Sequence, residues 1–192
     1  MVNGKDSGKG SMRAALEAVA AGQSNSIIVM TKDNIEIATP LVYNGQAPLS
    51  IYGNGQTIET DKNINLLSIT EGADVNLSGL KFEGPGGFSI EKRGDNNGEA
   101  GKGIFVKLRH DQTGTLTVTL NDVEVSGVAG HGIHMSDCDV AGNCGAGAGG
   151  KGDGSAASIA VNAYNVKVHD IGYGRVDGDG LRVDERNEGD IF

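Results

Sequence analysis

The sequence predicts an all-β domain in which short parallel strands stack on one another and share one core. The first observation is an internal repeat at 75–82, 118–125 and 161–168, with equal offsets of about 43 residues. In each copy the apolar residues alternate with polar ones, and a polar pair interrupts the alternation. This pattern is typical of a half-buried strand, a bend and a second half-buried strand. Units this short hold no core of their own, so we expect them to stack. The shared apolar positions are Val75, Leu77, Leu80 and Phe82, then Val118, Leu120, Val123 and Val125, then Val161, Ala163, Val166 and Val168.

Composition and element order are the other two observations. Hydrophobic residues make up 38% of the chain and aromatic residues only 4%, with no Trp, which favours a thin aliphatic core over a compact globule. The 32 Gly beside 3 Pro indicate many tight turns. Only one convincing helix is present, so βαβ crossovers are not predicted.

The predicted helix covers 11–21, with Ser11 as N-cap and Gly22 just past its end. Its apolar face is formed by Met12, Ala15, Leu16 and Val19. We expect this helix to cover the open end of the stacked strands. The alternative is a helix packed beside the domain.

Short strand-like runs follow the helix, and a second echo accompanies the first repeat. The sequence Gly-apolar-x-apolar occurs at 103–106, 132–135 and 180–183. It predicts another face of the successive coils, interrupted by Gly-rich loops at 88–102 and 138–155. The residues expected to point inward are Ile104, Val106, Ile133, Met135, Leu181 and Val183.

The N-terminal segments 10–16, 27–29, 35–37 and 49–58 together resemble the start of right-handed parallel β-helix proteins. This is the superfamily of the pectate lyases and of many bacterial surface and secreted proteins. The resemblance extends over nearly the whole chain. It implies a single domain, 1–192, with a cap helix over 11–21 and about five or six coils of three parallel strands over 26–192. It indicates the fold and not the activity, because this fold serves enzymes, adhesins and passive stalks alike.

Charge excludes several partners. The net charge of −9 and the pI of about 4.8 argue against nucleic acid and against an anionic membrane surface. The chain has no apolar run of about 18 residues, so membrane insertion is not predicted.

The candidate catalytic residues are His131, Asp177, Asp179 and Arg182. Gly-His-Gly at 130–132 resembles an element of the polygalacturonase-type glycosidases, but the acidic pairs that precede it in that family are missing here. The Arg-x-Pro-x-x-Arg element of pectate lyases is also missing, since Pro occurs only at 40, 48 and 85. Strand alternation predicts that His131 and His134 lie on opposite faces and that neighbouring His169 and Asp170 diverge. The sequence therefore favours a turn histidine and no enzymatic activity.

Two further groups suggest a site or a crosslink. Asp177, Asp179 and Asp184 form the densest acidic patch, which is either a solvated turn or a calcium site. No other cofactor is predicted. Cys138 and Cys144 are the only cysteines and lie close together, which predicts one local disulfide and hence an exported protein, secreted or on the cell surface.

The function predicted from these observations is a non-catalytic structural or adhesive module of a bacterial surface or secreted protein. The alternative is a carbohydrate-active enzyme, either a polysaccharide lyase or a glycoside hydrolase, that acts in a groove on the side of the β-helix. The expected partner is a polysaccharide or cell-surface glycan. If the repeats stack in register, Lys81, Glu124 and Lys167 form one outward column and Asn76, Thr119 and Asn162 form another. Three or more charged side chains meeting in a groove would instead favour the enzyme.

The ends of the chain give two more expectations. The first residues, Met-Val-Asn-Gly-Lys-Asp, are not a signal peptide, so we expect the export signal of the natural protein to be absent from this chain. The last coil carries no recognisable cap, so we expect a piece of a longer protein, with either end-to-end self-association through that coil or disorder within it.

Overall fold

The computed structural model describes residues 1–87, 101–137, 154–172, 178–186 and 189–192. Within these residues the chain forms one helix, α1 (Met12–Ala20), and strands that all pair in parallel. The predicted all-β class with parallel strands and one short helix is therefore confirmed. The strands are β1 (Ile27–Ile28), β2 (Ile35–Glu36), β3 (Leu41–Tyr43), β4 (Leu49–Glu59), β5 (Leu67–Ile69), β6 (Val75–Glu83), β7 (Ile104–Lys107), β8 (Thr113–Ser126), β9 (Ile133–Ser136), β10 (Ala156–Tyr164), β11 (Lys167–His169) and β12 (Leu181–Asp184).

The strands are distributed over two parallel sheets. Sheet A has the order β1-β4-β6-β8-β10, with β2 beside β4 and β11 beside β8, and sheet B has the order β12-β9-β7-β5-β3. From β3 to β10 the chain alternates between the two sheets, so each new strand lies beside the strand two elements earlier. Parallel pairing requires this return, because each strand must start at the same end as its neighbour.

The internal repeat stacks in register within sheet A. Val118 of β8 pairs with Val75 on one side and with Val161 on the other. The bend falls at Gly79, Asp122 and Asn165, which all have positive φ values between 51° and 64°. Gly, Asp and Asn are the residues that tolerate this conformation. The sequence predicted two strands separated by this bend in every copy. The structure divides only the third copy, into β10 and β11, whereas β6 and β8 continue through the bend.

The two sheets bury their apolar faces in one aliphatic core. Ile104, Val106, Ile133 and Met135 are fully buried, as predicted. The prediction for Leu181 is wrong, since its side chain is 47% exposed. The reason is that β12 is the edge strand of sheet B. It pairs with β9 on one side, and no strand of the described residues lies on its other side.

Two of the three glycines in the Gly-apolar-x-apolar echo are needed for a steric reason. A Cβ atom at Gly103 would clash with Val125 of sheet A, and one at Gly132 would clash with Val168. The backbone before β7 and β9 thus approaches the side chains of sheet A, whereas a Cβ atom at Gly180 would meet Val168 only at ordinary contact distance. Gly132 also separates His131 from the start of β9, which determines where that histidine points.

The helix begins and ends as the sequence predicts. Ser11 is the N-cap, and its Oγ accepts the amide N–H of Ala14 at 3.2 Å. Gly22 follows the helix with a φ of +70°. The buried face of α1, which includes Leu16, packs against β1 and β3, the strands at one end of each sheet order. No helix of the described residues is long and apolar enough to cross a membrane.

Candidate functional site

Charged and polar side chains converge on the outer side of sheet B, at strands β9 and β12 and the turns that precede them. Register places His134 beside Arg182, and Ser136 beside Asp184. These residues point away from the core because Ile133 and Met135, which alternate with them in β9, are buried against it. We call His131, His134, Asp179, Arg182 and Asp184 the outer cluster.

Asp184 is the centre of the outer cluster. Its Oδ2 lies 2.9 Å from Nε2 of His134. The Nε–H of Arg182 donates to both carboxylate oxygens, at 3.0 Å to Oδ1 and 2.8 Å to Oδ2. Nη1 of Arg182 also lies 3.4 Å from Oδ2 of Asp179. One carboxylate therefore holds a histidine from β9 and an arginine from its own strand.

His131 completes the cluster from the turn before β9. The backbone N–H of Asp179 donates to Nδ1 of His131 at 2.9 Å, so this nitrogen carries no proton. The rings of His131 and His134 meet edge to face with their centroids 4.8 Å apart. The prediction that these histidines lie on opposite faces is wrong, because His131 precedes β9 and strand alternation does not apply to it.

Burial determines the charge of both histidines. Desolvation, reinforced by the positive charge of Lys102, lowers the pKa of His134 to about 4 despite its hydrogen bond to Asp184. Burial and then the charges of Arg182 and Lys102 lower the pKa of His131 as well. Both imidazoles are therefore neutral at neutral pH. Burial alone would raise the pKa of Asp184, but the hydrogen bonds from Arg182 and His134 outweigh it and the pKa is lowered.

The tautomer of His134 follows from this electrostatic arrangement. An ionised carboxylate only accepts hydrogen bonds, so Nε2 of the neutral ring carries the proton and donates to Asp184. Nδ1 is then an acceptor, and it is buried without a hydrogen-bond partner among the described residues. A buried acceptor left in this state is unfavourable, which makes it the most unusual atom of the outer cluster.

Two residues that the sequence analysis did not single out border the cluster. The ring of Phe105 in β7 lies 5.3 Å from the ring of His134, centroid to centroid. Nζ of Lys102 lies 4.2 Å above the Phe105 ring, and burial, followed by the charge of Arg182, lowers the pKa of this lysine. The repeated Gly-apolar-x-apolar segments were the sequence signal that could have identified Phe105. Phe105, His134 and Arg182 hold the same position in successive segments, and the parallel register places them side by side.

The structure brings together four of the predicted site residues: His131, Asp179, Arg182 and Asp184. Asp177, Cys138 and Cys144 lie outside the described residues. Asp179 and Asp184 both face Arg182. Across the part of the chain that the structure describes, no three His, Cys, Asp or Glu side chains lie close enough together to hold a metal ion.

His169, in β11 of sheet A, corrects the expectation that it diverges from Asp170. Nδ1 of His169 lies 2.8 Å from Oδ2 of Asp170, and Nε2 lies 3.2 Å from Oε1 of Glu124. The prediction that His169 and Asp170 diverge is wrong, because Asp170 has a φ of +51° and is not in extended conformation. Hydrogen bonds to Asp170 and Glu124 raise the pKa of this exposed histidine.

Comparisons with protein-family models, with curated proteins and with solved structures find no match for this chain.

Proposed function

We propose that sheets A and B are two faces of a right-handed parallel β-helix, and that the chain is a non-catalytic structural or adhesive module of a bacterial surface or secreted protein. The alternation of strands between two parallel sheets, the in-register repeat and the position of α1 at one end of both sheet orders support this fold. A stack of this kind presents long regular outer faces, which suit display and adhesion.

The observation that carries the non-catalytic function is that most polar atoms of the outer cluster bind one another; Nδ1 of His134 is the exception. The side chains of His131 and His134 are only 9% exposed and that of Asp184 only 11%. The carboxylate of Asp184 is occupied by Arg182 and His134, and Nδ1 of His131 by a backbone N–H. Groups bound to each other in this way link β9 to β12, and a substrate would have to displace them.

The experiment is a turnover assay on a panel of polysaccharides. Pectin, alginate and neutral polysaccharides are incubated with the protein, with and without calcium, and new reducing ends or unsaturated products are measured. We expect no turnover. Product formation that is lost in a folded His134→Gln variant would overturn the non-catalytic function.

A carbohydrate-active enzyme is the second candidate, and two observations favour it. The charged side chains of Asp179, Arg182 and Asp184 meet on the outer side of sheet B, as expected for an enzyme. The second observation is the state of His134. A neutral imidazole that is held by a carboxylate on one nitrogen, and whose second nitrogen has no partner among the described residues, is the arrangement of a general base. Nδ1 of His134 is buried, so in a lyase acting on an acidic polysaccharide the outer cluster would have to open before this nitrogen could take the proton next to the sugar carboxylate. Arg182 and Lys102 would stabilise the negative charge that develops there. The assay described above separates this candidate from the first.

We propose that the protein is located outside the cell. The oxidation state of its two cysteines tests this proposal. We propose that Cys138 and Cys144 form a disulfide, because they are the only cysteines and are close in sequence. Mass spectrometry with alkylation before and after reduction measures their state. We expect no alkylation without reductant, and full alkylation of both thiols without reductant would remove this argument for export.

A further inference from the structure

An open groove lies on the outer face of sheet A, away from the outer cluster. It has a volume of about 660 Å³ and is lined mainly by β6, β8 and β10. Parallel register aligns Tyr52, Ser78, Asn121 and Tyr164 in one column that crosses four neighbouring strands. A tyrosine therefore stands at each end of this column. We call this surface the tyrosine groove.

Both tyrosines of the groove are exposed to solvent. Tyr52 is 42% exposed and Tyr164 is 73% exposed, so their rings contribute little to the core. The chain contains only 4 Tyr and 4 Phe, and two of these few aromatic rings line the same groove. An exposed tyrosine ring offers an apolar face together with a polar hydroxyl, which is a common composition at binding surfaces.

A second column of polar side chains runs beside the first. Asn76, Thr119 and Asn162 occupy equivalent positions in β6, β8 and β10. Nδ2 of Asn76 donates to the Tyr52 hydroxyl at 3.4 Å, which orients that ring. An amide supplies donors and acceptors side by side, so this column matches a ligand rich in hydroxyl groups.

Among the residues that the structure describes, no charged side chain lines the tyrosine groove. The next charged residue along these strands is Asp122, which follows Asn121 in β8, does not line the groove and accepts a hydrogen bond from Asn165. Lys81 and Glu124 lie further along. A charged ligand would therefore find no counter-ion in the groove, and the net charge of −9 opposes a polyanion. Uncharged amides and hydroxyls between two aromatic faces favour a neutral ligand that has both C–H faces and hydroxyl groups.

We propose that the tyrosine groove binds a neutral linear polysaccharide, laid across the strands. The two tyrosines are three strand steps apart, or about 14 Å at a spacing of roughly 4.8 Å per strand. An extended chain of pyranose rings advances by roughly one strand spacing per sugar, so several sugars fit between the two tyrosine rings. Each tyrosine packs against the C–H face of one sugar, and the asparagine column bonds to hydroxyl groups. The ligand class rests on the proposed adhesive function, while the groove itself does not involve the outer cluster.

The test measures binding by isothermal titration calorimetry and affinity electrophoresis. The probes are cello-oligosaccharides, xylan and glucomannan, with pectin and alginate as charged comparators. We expect at least one neutral probe to bind. Tyr52→Ala and Tyr164→Ala should each weaken that binding by about tenfold. Val42→Ala, which shortens an exposed apolar side chain on sheet B, is the control and should leave binding unchanged.

Thermal unfolding of each variant separates binding from folding. Tyr164→Ala should unfold like the unmodified protein, because this side chain is largely exposed. Three results would overturn the proposal: binding of none of the neutral probes, equal binding by the tyrosine variants, or binding of the charged probes alone. None of them depends on turnover, so failure of the groove and failure of the non-catalytic function are separate outcomes.

Discussion

The outer faces of sheets A and B are built from the same kind of stacked strand, yet they differ in regularity. On sheet A, the equivalent positions that line the tyrosine groove stay polar and uncharged, such as Asn76, Thr119 and Asn162, and these side chains are half-buried or exposed. On sheet B, the equivalent positions of β5, β7, β9 and β12 change from Ser68 to Phe105, His134 and Arg182. A repeat that is retained on one face and lost on the other indicates that sheet B has a local role which uniform stacking does not explain.

One histidine on each sheet shows that the two faces also differ in how they shift a pKa. His169 lies on sheet A between Glu124 and Asp170, is about half exposed, and has a raised pKa because both carboxylates favour its charged form. His134 also bonds to a carboxylate, but burial dominates and lowers its pKa to about 4. The comparison teaches that burial, and not the nature of the partner, determines the charge of a histidine in this molecule.

The largest expected effect comes from removing the central carboxylate of each face. Asp184→Ala leaves Arg182 and His134 without their acceptor in a partly buried setting, so we expect a loss of about 2–3 kcal/mol in the free energy of unfolding. Glu124→Ala also removes two partners, but its side chain is 30% exposed and water replaces them. We expect a loss below about 1 kcal/mol there. Urea denaturation of both variants measures the difference, and equal losses would contradict the contrast between the two faces.

Acid should weaken the fold through His134. The unfolded chain protonates this histidine near pH 6.5 and the folded protein near pH 4. Between these values the unfolded state binds more protons, so stability is full above pH 6.5 and falls as the pH is lowered toward 4. The loss is at most about 3.5 kcal/mol, at roughly 1.4 kcal/mol per pKa unit. Asp184, whose pKa is lowered, adds a loss of the same sign only at more acidic pH.

His169 is the matched control for this pH dependence. Its raised pKa stabilises the fold below pH 6.5, and that contribution disappears as the pH rises through the folded-state pKa. Urea denaturation between pH 4 and 8 on His134→Gln and His169→Gln variants measures both slopes. His134→Gln should flatten the acid slope and His169→Gln should not. An unchanged acid slope in His134→Gln would show that another group is responsible.

The bend of sheet A should give a smaller effect. Asn165 has a φ of +51°, so Asn165→Ala places a residue with low tolerance for this conformation there and should cost about 1 kcal/mol. Asn162→Ala is the control, because it lies in the extended part of β10 and is exposed. Urea denaturation that gives the same small loss for both variants would mean that the bend is not under conformational constraint.

Much of the fold could be predicted from the sequence, because it depends on periodicity. The repeat positions gave the register of β6, β8 and β10, and the columns of Lys81 with Glu124 and of Asn76 with Thr119 are confirmed. Alternation of apolar residues is a local property, so a repeat of it determines the side of each strand that is buried. Leu181 was misplaced because exposure at an edge strand depends on which neighbours are present, and no local pattern records that.

The sequence predicted individual residues of the candidate site but not their arrangement. His131, Asp179 and Arg182 were each singled out, but their convergence depends on Gly132, which places His131 outside the strand. Burial of His134 depends on Phe105 and on residues far apart in the sequence. Spacing within one strand carries no information about such neighbours, and for that reason the faces assigned to His131 and His169 were wrong.

The smallest expected effect is the ion pair of the sheet A column. Nζ of Lys81 lies 3.3 Å from Oε2 of Glu124, and the lysine side chain is 48% exposed. A double-mutant cycle with Lys81→Met and Glu124→Gln should give a coupling of at most about 0.5 kcal/mol, which salt should reduce further. The corresponding cycle on sheet B, with Arg182→Met and Asp184→Asn, should give a larger coupling that salt changes less, because Asp184 is mostly buried. If the Lys81–Glu124 coupling equalled that of Arg182–Asp184 and resisted salt, the exposed column would contribute as much as the buried cluster, and the contrast between the two faces would not be energetic.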